Sequence, residues 1–519
     1  MVALFAASVS CSDAEPARDG RSAVGTDGLV AAEWTLPNSS APLSWELALV
    51  FEDEVSPTVR LEAHDHTVVL PFRAADRVHA LPILGVAPGR RYVATLEGAG
   101  EAWDLGVLST PPLPDRFPVV ELVHGSPSGM APGVTLTDLK VPSSSVAYLA
   151  AFDSVGRVVW LWDVPDDWGD TRAIGDYRLL GLSRTDATIA NVFGEIQERW
   201  TESPESEVDR AVDWKAMHHE VLPLSDGGLL TLSEQVTAVE HYPTTYTSPE
   251  LFLEAATLDD PVIVELAADG TTRRALALSE FMDTRRIGFD SLDRLGGGRL
   301  DWAHANGVTL APDGDWVVSV RHQDAVVKVS PAGEIRWILG NHAGWREAWR
   351  PFLLEPLGEL EWPWHQHAPE VLEDGTIVML DNGRWRASPY EGPEPESHVT
   401  YSRAVAYRVD EGTVEQLWEV APAGLYSAAL GDADVQPETG TVLLHLGFLD
   451  ADETGTLHEE LGWGRKAMRL IEVHPERPDE PVWDLRLRSD AAAEPEGWKG
   501  YRGERLPSLY PPGVLVDED

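Results

Sequence analysis

Apolar and polar positions alternate through residues 301–340, which read DWAHANGVTLAPDGDWVVSVRHQDAVVKVSPAGEIRWILG. The alternation breaks at Pro312-Asp313-Gly314, at Gln323-Asp324 and at Pro331-Ala332-Gly333. Period-two runs cut by turn residues predict four short antiparallel strands. A first turn centred on Asp313 puts His304 opposite His322 and Arg321 opposite Ala305. Asn306, two residues after His304, is then expected on the same face as that histidine. The same grammar recurs on both sides. Upstream, His218-His219-Glu220 opens an apolar run that ends at Asp226-Gly227. Downstream, His365-Gln366-His367 opens one that ends at Asp374-Gly375. Three units therefore present a histidine at the same end of their first strand.

From residue 119 onward a recurring close appears, an apolar strand ending in Trp or Leu. It falls at Trp160, Trp200, Leu276, Trp337, Trp418 and Trp483, with spacings of 40 to 81 residues. Six four-stranded units with variable insertions predict a six-bladed β-propeller over 119–519, the periodic Trp residues packing between blades. The long insertions, EHYPTTYTSPELFLEAATLDD and ASPYEGPEPESHVT, are expected as loops over one face. Residues 199–219 are expected as a short helical or loop excursion. Residues 27–110 read as a small β-sandwich. Within it, Val86-Ala87-Pro88-Gly89-Arg90-Arg91-Tyr92 resembles the Pro-then-Tyr corner of fibronectin type III domains, where a Tyr hydroxyl ties back to the chain. A stiff Pro-rich linker, 109–118, joins the two parts. The fold class is all-β.

Composition narrows the partners. The chain has 519 residues, with 86 acidic and 40 basic side chains and a net charge of −46. Only five of the basic residues are Lys. Nucleic acid and anionic membrane surfaces are therefore not expected as partners. Cys11 is the single cysteine, so neither an intrachain disulfide nor a Cys-based zinc site forms. It follows the small apolar run ALFAASVS and precedes SDAEPARDG, a pattern like the cleavage and lipidation site of a bacterial lipoprotein. Residues 1–25 are thus read as a leader. The protein is expected to be exported, at the periplasm or cell surface, with membrane contact only through a lipid on Cys11.

The chemistry lies with the histidines. In a propeller the first strands line the axial channel, so His219, His304 and His367 converge at one mouth, joined by Asn306 and Arg321. A metal centre is not expected there. An adjacent guanidinium repels a cation, and no carboxylate recurs at a matching position of the three strands. Imidazoles, a guanidinium and a carboxamide donate hydrogen bonds around an oxyanion instead. Histidine also serves as a nucleophile. The set suits transfer of a tetrahedral anionic group, phosphoryl or sulfuryl, with positioning and charge stabilisation as the main tasks. No P-loop or Gly-rich cradle argues for a nucleotide donor. From these residues alone, either His304 or His367 could be the nucleophile.

Several ordered motifs carry a resemblance. DWAHANGV at 301–308, SVRHQDAVVKVSPAGEIRWILG at 319–340, WHQHAPEVLEDGTIVMLDNG at 364–383, SRAVAYRVDEGTVEQLWEV at 402–420 and YRGERLPSLYPP at 501–512 resemble the bacterial arylsulfotransferases that use no nucleotide sulfate donor. HHEVLP at 218–223 extends the match upstream. The resemblance implies a six-bladed propeller behind a small β-domain and no cofactor. It implies a ping-pong reaction in which a phenolic sulfate ester gives its sulfuryl group to a histidine, which passes it to an acceptor phenol. His367, after Gln366, matches the family's nucleophile. His219, His304, Asn306 and Arg321 match residues that hold sulfuryl oxygens or move protons. His218, His322, Trp302, Trp364 and Tyr426 are further candidates for substrate contact, with packing as the alternative for the three aromatics. The expected partners are phenolic sulfates and phenols, with room for a homodimer. The rival readings are an aryl sulfate hydrolase at the same site, a non-catalytic propeller binding an anionic or aromatic ligand, and, last, a metal-dependent oxidoreductase.

Overall fold

The computed structural model describes residues 28–516, apart from 127, 165–167, 184–185, 393–399, 452–463 and 491–494. Cys11 lies outside the described residues. The chain is all-β, with only four 3-10 turns among the described elements. Among the described residues, no helix is long and apolar enough to cross a membrane.

Two sheets form the N-terminal part. One orders Leu29–Thr35, Trp45–Val55 and Asp76–Ile83; the other orders Thr67–Pro71, Thr58–Glu62, Arg91–Gly98 and Glu101–Ser109. Alternate residues such as Leu47, Leu49 and Phe51 are buried between them, as a half-buried strand requires. The Tyr92 hydroxyl accepts the Ala87 N–H at 2.8 Å, closing the corner read from the sequence.

Six further sheets follow. Sheet 1 orders Gly503–Leu506, Val134–Lys140, Ala147–Phe152 and Val158–Asp163. Sheet 2 runs from Trp168–Ala173 to Ile196–Thr201, with Asp209–Ala211 added in parallel. Sheet 3 runs from His218–Pro223 to Thr272–Ala277, and sheet 4 from Ala305–Leu310 to Ile335–Gly340. Sheet 5 runs from His367–Val371 to Thr413–Val420, with Glu355–Pro356 at its edge. Sheet 6 runs from Asp432–Gln436 to Pro481–Arg488 and takes Val119–Gly125 as a fifth strand. The first strands touch in cyclic order, sheet 6 meeting sheet 1 through Gly503–Leu506. Both ends of this region are thus paired into sheets laid down by distant sequence. All six recurring Trp and Leu closes sit in the fourth strand of a sheet; Trp160, Trp200 and Trp483 are almost wholly buried.

Two expectations are corrected and one is narrowed. The insertion around 240–260 is only partly loop: the strands Leu229–Pro243 and Leu253–Leu266 run into it as one long hairpin, leaving 244–252 as the connection. Residues 199–219 follow the loop alternative rather than the helical one, except that Asp209–Ala211 forms a strand beside Arg199–Thr201. The turn-centred register holds for Gly307–Leu310 against Trp316–Ser319, then slips at Asn306.

Candidate active site

That slip builds the site. The first strands of sheets 3, 4 and 5 each carry a bulge, after His218, after Ala305 and after His367. Each bulge lies beside a non-glycine residue with left-handed backbone: His219 at φ 63°, His304 at 46°, Ala368 at 47°. A bulge re-aims side chains at a strand end, and the left-handed conformation costs on the order of 1 kcal/mol at each such residue. Strain repeated at equivalent places in three sheets points to function rather than packing.

The bulge in sheet 4 also moves the partners. Arg321 stands opposite His304, whose carbonyl accepts its backbone N–H at 3.2 Å, and not opposite Ala305. His322 leaves the ladder, yet its ring stacks on that of His304 at 4.6 Å between centroids. His304 lies 5.0 Å from His219. Tyr501 continues the chain of rings, 6.2 Å from His219 and 4.9 Å from His367. The histidines of three sheets therefore meet in one cluster, bridged by a tyrosine from the strand that closes sheet 1.

The His367, His304 and His219 rings are each held through one nitrogen, and His322 through both. His367 Nδ1 donates to the Gly431 carbonyl at 2.6 Å, which leaves Nε2 as the lone-pair nitrogen. That Nε2 is buried and finds no hydrogen-bond partner among the described residues. Burial, outweighing the Gly431 bond and aided by Arg502 and Arg321, lowers the His367 pKa to about 3. His304 Nδ1 donates to the Asp301 carboxylate at 2.6 Å. Burial would raise that carboxyl, but the His304 hydrogen bond overrides it and holds Asp301 at about 2. His218 and His219 face each other Nδ1 to Nδ1 at 2.6 Å, so one of the two carries the shared proton. Burial, with His218 and His304 beside it, lowers His219 well below the usual imidazole range. His322 is engaged at both nitrogens, by the Asp301 carbonyl at 2.7 Å and by Arg321 Nη1 at 2.8 Å. Arg321 Nη2 donates to the Ala428 carbonyl at 3.2 Å.

Asn306 does not face the cluster with His304. Its amide nitrogen donates to the Gln366 carbonyl at 2.8 Å, and its oxygen accepts from Ser319 Oγ at 2.7 Å. Gln366 Nε2 in turn donates to Ser319 Oγ and the Ala325 carbonyl. Asn306 is thus a positioning residue, tying the Gln366-His367 pair to sheet 4. Trp302 is fully buried in the hydrophobic core with Val308 and Trp316 and presents no face to a ligand. Trp364 is buried, and its backbone N–H donates to the Asp381 carboxylate at 2.9 Å. Tyr426 is buried near Arg384 and Arg321, and burial pushes its phenol up.

Reading the histidine grammar overlooked Asp301, Tyr501 and Arg502. Asp301 orients His304, and Tyr501 spans the cluster. Below them Arg502 donates to Asp170 at 2.7 Å, to Glu220 at 3.1 Å and to Asp432 at 3.4 Å, joining sheets 2, 3 and 6. Burial and Asp170 push Glu220 up to about 7 against the pull of Arg502 and Arg172. YRGER was visible as a motif, but no local pattern tells that the last strand returns to the first sheet.

Two groups, Asp290 with His322 and His365, and Asp301 with His304 and His322, have donor atoms spaced closely enough for a cation. Arg321 on His322 and Arg384 on Asp290, at 2.7 Å, put guanidinium charge where a cation would go. The donor set suits an anion.

A comparison with protein families matches residues 119–499 to the arylsulfotransferase (ASST) family. Arylsulfate sulfotransferase AssT from Escherichia coli O6:H1 is 28% identical over 215 residues, covering 36% of this chain and 35% of that protein. The protein of the same description from Lelliottia amnigena is 28% identical over 189 residues, covering 31% of each. The chain therefore spans about a third of the length of the curated relatives it matches. Among solved structures, a Bacteroides caccae protein of unknown function overlaps 72% of this chain and 98% of its own at 12% identity. Its TM-score of 0.39 is too low to carry an argument. With the match running through all six sheets, the strand Gly503–Leu506 alone lying beyond it, and through every histidine of the cluster, the chain belongs to the arylsulfotransferase family.

Proposed function

We propose that this protein transfers a sulfuryl group from a phenolic sulfate ester to an acceptor phenol through a sulfohistidine on His367, with no nucleotide donor. The observation that carries the reading is the His367 ring. One nitrogen is tied to a backbone carbonyl, and the other is buried, unprotonated and unpartnered beside Arg321 and His304. A nucleophile needs that combination. In the first half-reaction Nε2 bonds to sulfur as the S–O bond to the ring breaks. The bonding pair leaves on the phenolate oxygen, which takes a proton from the His304 imidazolium. In the second, neutral His304 removes the acceptor's proton as its oxygen attacks sulfur, and the N–S bond returns its pair to His367. Asp301 favours His304 over His219 for this role, because a carboxylate stabilises the imidazolium that must form. Arg321 supplies charge to the sulfuryl oxygens.

In the same reading the six sheets form a closed six-bladed propeller behind a fibronectin-III-like domain. The cyclic contact of the first strands and the Tyr92 corner support it. Export and lipid attachment at Cys11 rest on the sequence around that residue. Mixing the protein with a chromogenic aryl sulfate, with and without a second phenol, tests the function. Release should rise with added phenol, and intact mass should show a transient gain of about 80 Da, one sulfuryl group on a nucleophile. Release indifferent to phenol would favour the hydrolase instead.

Two further outcomes are expected. Asp301→Asn should lower turnover by about 100-fold with a donor whose phenol is a poor leaving group, and far less with 4-nitrophenyl sulfate. Equal losses with both donors would remove His304 from acid–base work. The burst of 4-nitrophenol should also stay flat from pH 7.5 to pH 5. A folded-state pKa of about 3 keeps His367 neutral and nucleophilic throughout that range, whereas an unshifted imidazole would lose its lone pair near pH 6.5. A drop centred near pH 6.5 would show that the nucleophile is not this shielded ring.

A further inference from the structure

We infer that the cavity between sheets 1 and 2 and the C-terminal segment is a second ligand site, taking an aromatic acid with its oxyanion on Arg178 and Tyr177. The site is separate from the histidine cluster and independent of the sulfuryl-transfer reading. After Leu506 the chain leaves sheet 1 through Pro507–Pro512, the half of the YRGERLPSLYPP motif that the cluster does not use. This segment is tied to the N-terminal sheets. The Tyr510 hydroxyl accepts the Leu84 N–H at 2.8 Å and donates to the Pro82 carbonyl at 3.0 Å. The Arg73 N–H donates to the Val514 carbonyl at 2.9 Å, and the Val516 N–H to the Pro71 carbonyl at 2.8 Å. Pro507, Pro511 and Pro512 stiffen the span, which resists collapse onto the sheets. It forms one wall of a cavity of about 540 Å³, with Trp160 of sheet 1 and Leu179 of sheet 2 on the others.

The walls are mainly apolar, and two adjacent polar side chains on them are unanswered. The Tyr177 hydroxyl is buried with no hydrogen-bond partner among the described residues. Burial pushes this phenol up to about 12, so at neutral pH it keeps a proton to donate. A buried O–H left unpaired costs free energy that a ligand oxygen would restore. Arg178 is half-buried, and its guanidinium has no hydrogen-bond or ion-pair partner among the described residues. The other charges on the wall are engaged. Glu504 accepts the Ala173 N–H at 3.0 Å, and burial pushes its carboxyl up to about 7, which weakens its repulsion of an anion. Arg505 donates to the Ala131 carbonyl at 2.8 Å and to Glu472 at 2.7 Å. An unpaired guanidinium on an apolar cavity, in a chain of net charge −46, fits an oxyanion. The rest of the ligand is aromatic by the shape of the walls. Tyr177 and Tyr510 meet edge to face at 6.0 Å between centroids and, with the proline rings, offer flat apolar surface. The volume lies within the roughly 300–1,000 Å³ of small-molecule sites and holds two fused rings.

Calorimetric titration with 2-naphthoate, naphthalene-2-sulfonate and the uncharged 2-naphthamide tests this. The tighter of the two acids identifies the head group as a carboxylate or a sulfur oxyanion. Arg178→Gln should weaken that acid about tenfold and leave the amide unchanged, because a charge-assisted hydrogen bond is lost and no contact within the protein goes with it. Tyr177→Phe should weaken the acid about threefold while the melting temperature holds or rises, since the deleted hydroxyl has no partner in the free protein. A purely structural role would move affinity and melting temperature the same way. Turnover of 4-nitrophenyl sulfate without added acid should be unchanged in both variants, as neither residue belongs to the histidine cluster. Acid binding that persists at full strength in both variants would lie elsewhere and overturn the inference. Equal weakening of acid and amide, or no binding of either acid, would overturn it as well.

Discussion

Replacing His367 by alanine is expected to lower sulfuryl transfer by at least about four orders of magnitude, the scale seen when a covalent nucleophile is removed. No other group in the cluster combines its features. His322 is bonded at both nitrogens. His304 is committed to Asp301, and His219 shares a proton with His218. Of these four rings only His367 has a nitrogen that is both buried and unpartnered among the described residues; His365 Nε2 and His445 Nδ1 are in the same state but lie 3.4 Å from Asp290 and 3.7 Å from Asp432. His367→Asn sharpens the test. A carboxamide N–H can still donate toward the Gly431 carbonyl, holding the start of the sheet 5 strand, but it supplies no nucleophile. Both variants should melt near the parent temperature and gain no mass with aryl sulfate. A stable adduct of about 80 Da on His304 or His219 in either variant would reassign the nucleophile.

Arg502→Met is expected to cost about 3–5 kcal/mol of stability, because it leaves buried carboxylates without their counter-charge. Asp170, Glu220 and Asp432 are each no more than 2% exposed, and Arg502 donates to all three. Burial alone would lower the Arg502 pKa, yet Glu220, Asp170 and Asp432 reverse that and raise it well above the ordinary value. The guanidinium therefore stays charged and its fork does the tying. Arg502→Lys should fall between, since one ammonium cannot reach three carboxylates in a fixed geometry. Adding Glu220→Gln to Arg502→Met should recover part of the loss by removing one stranded charge. Thermal melts of the four proteins check this. A melting temperature unmoved by Arg502→Met would show that the sheets are held together without this tie.

Much of the architecture was legible in local pattern. The turn at Pro312-Asp313-Gly314 set the pairing of Val308 with Val318 and Thr309 with Val317 as expected, because strand period and turn chemistry act over neighbouring residues. The six Trp and Leu closes fell in outer strands for the same reason. Where the reading failed, a longer-range contact had won. Residues 240–260, polar and Pro-containing, looked like a loop, but pairing across the hairpin made all but 244–252 strand. Asn306 was expected beside His304; a bulge turned it into the contact with Gln366.

The sequence by itself determined the repeat, the strand grammar and which residue types could do chemistry, since all three are written in composition and spacing along neighbouring positions. Tertiary structure alone set His367 apart from the other imidazoles. One of its nitrogens reaches the Gly431 carbonyl, 64 residues away, while the other has no hydrogen-bond partner among the described residues. It also decided that Tyr501 and Arg502, at the far end of the chain, complete the cluster begun at His218. Pairing Gly503–Leu506 against Val134–Lys140 brings them there, because hydrogen bonding, burial and charge depend on proximity in space rather than order along the chain.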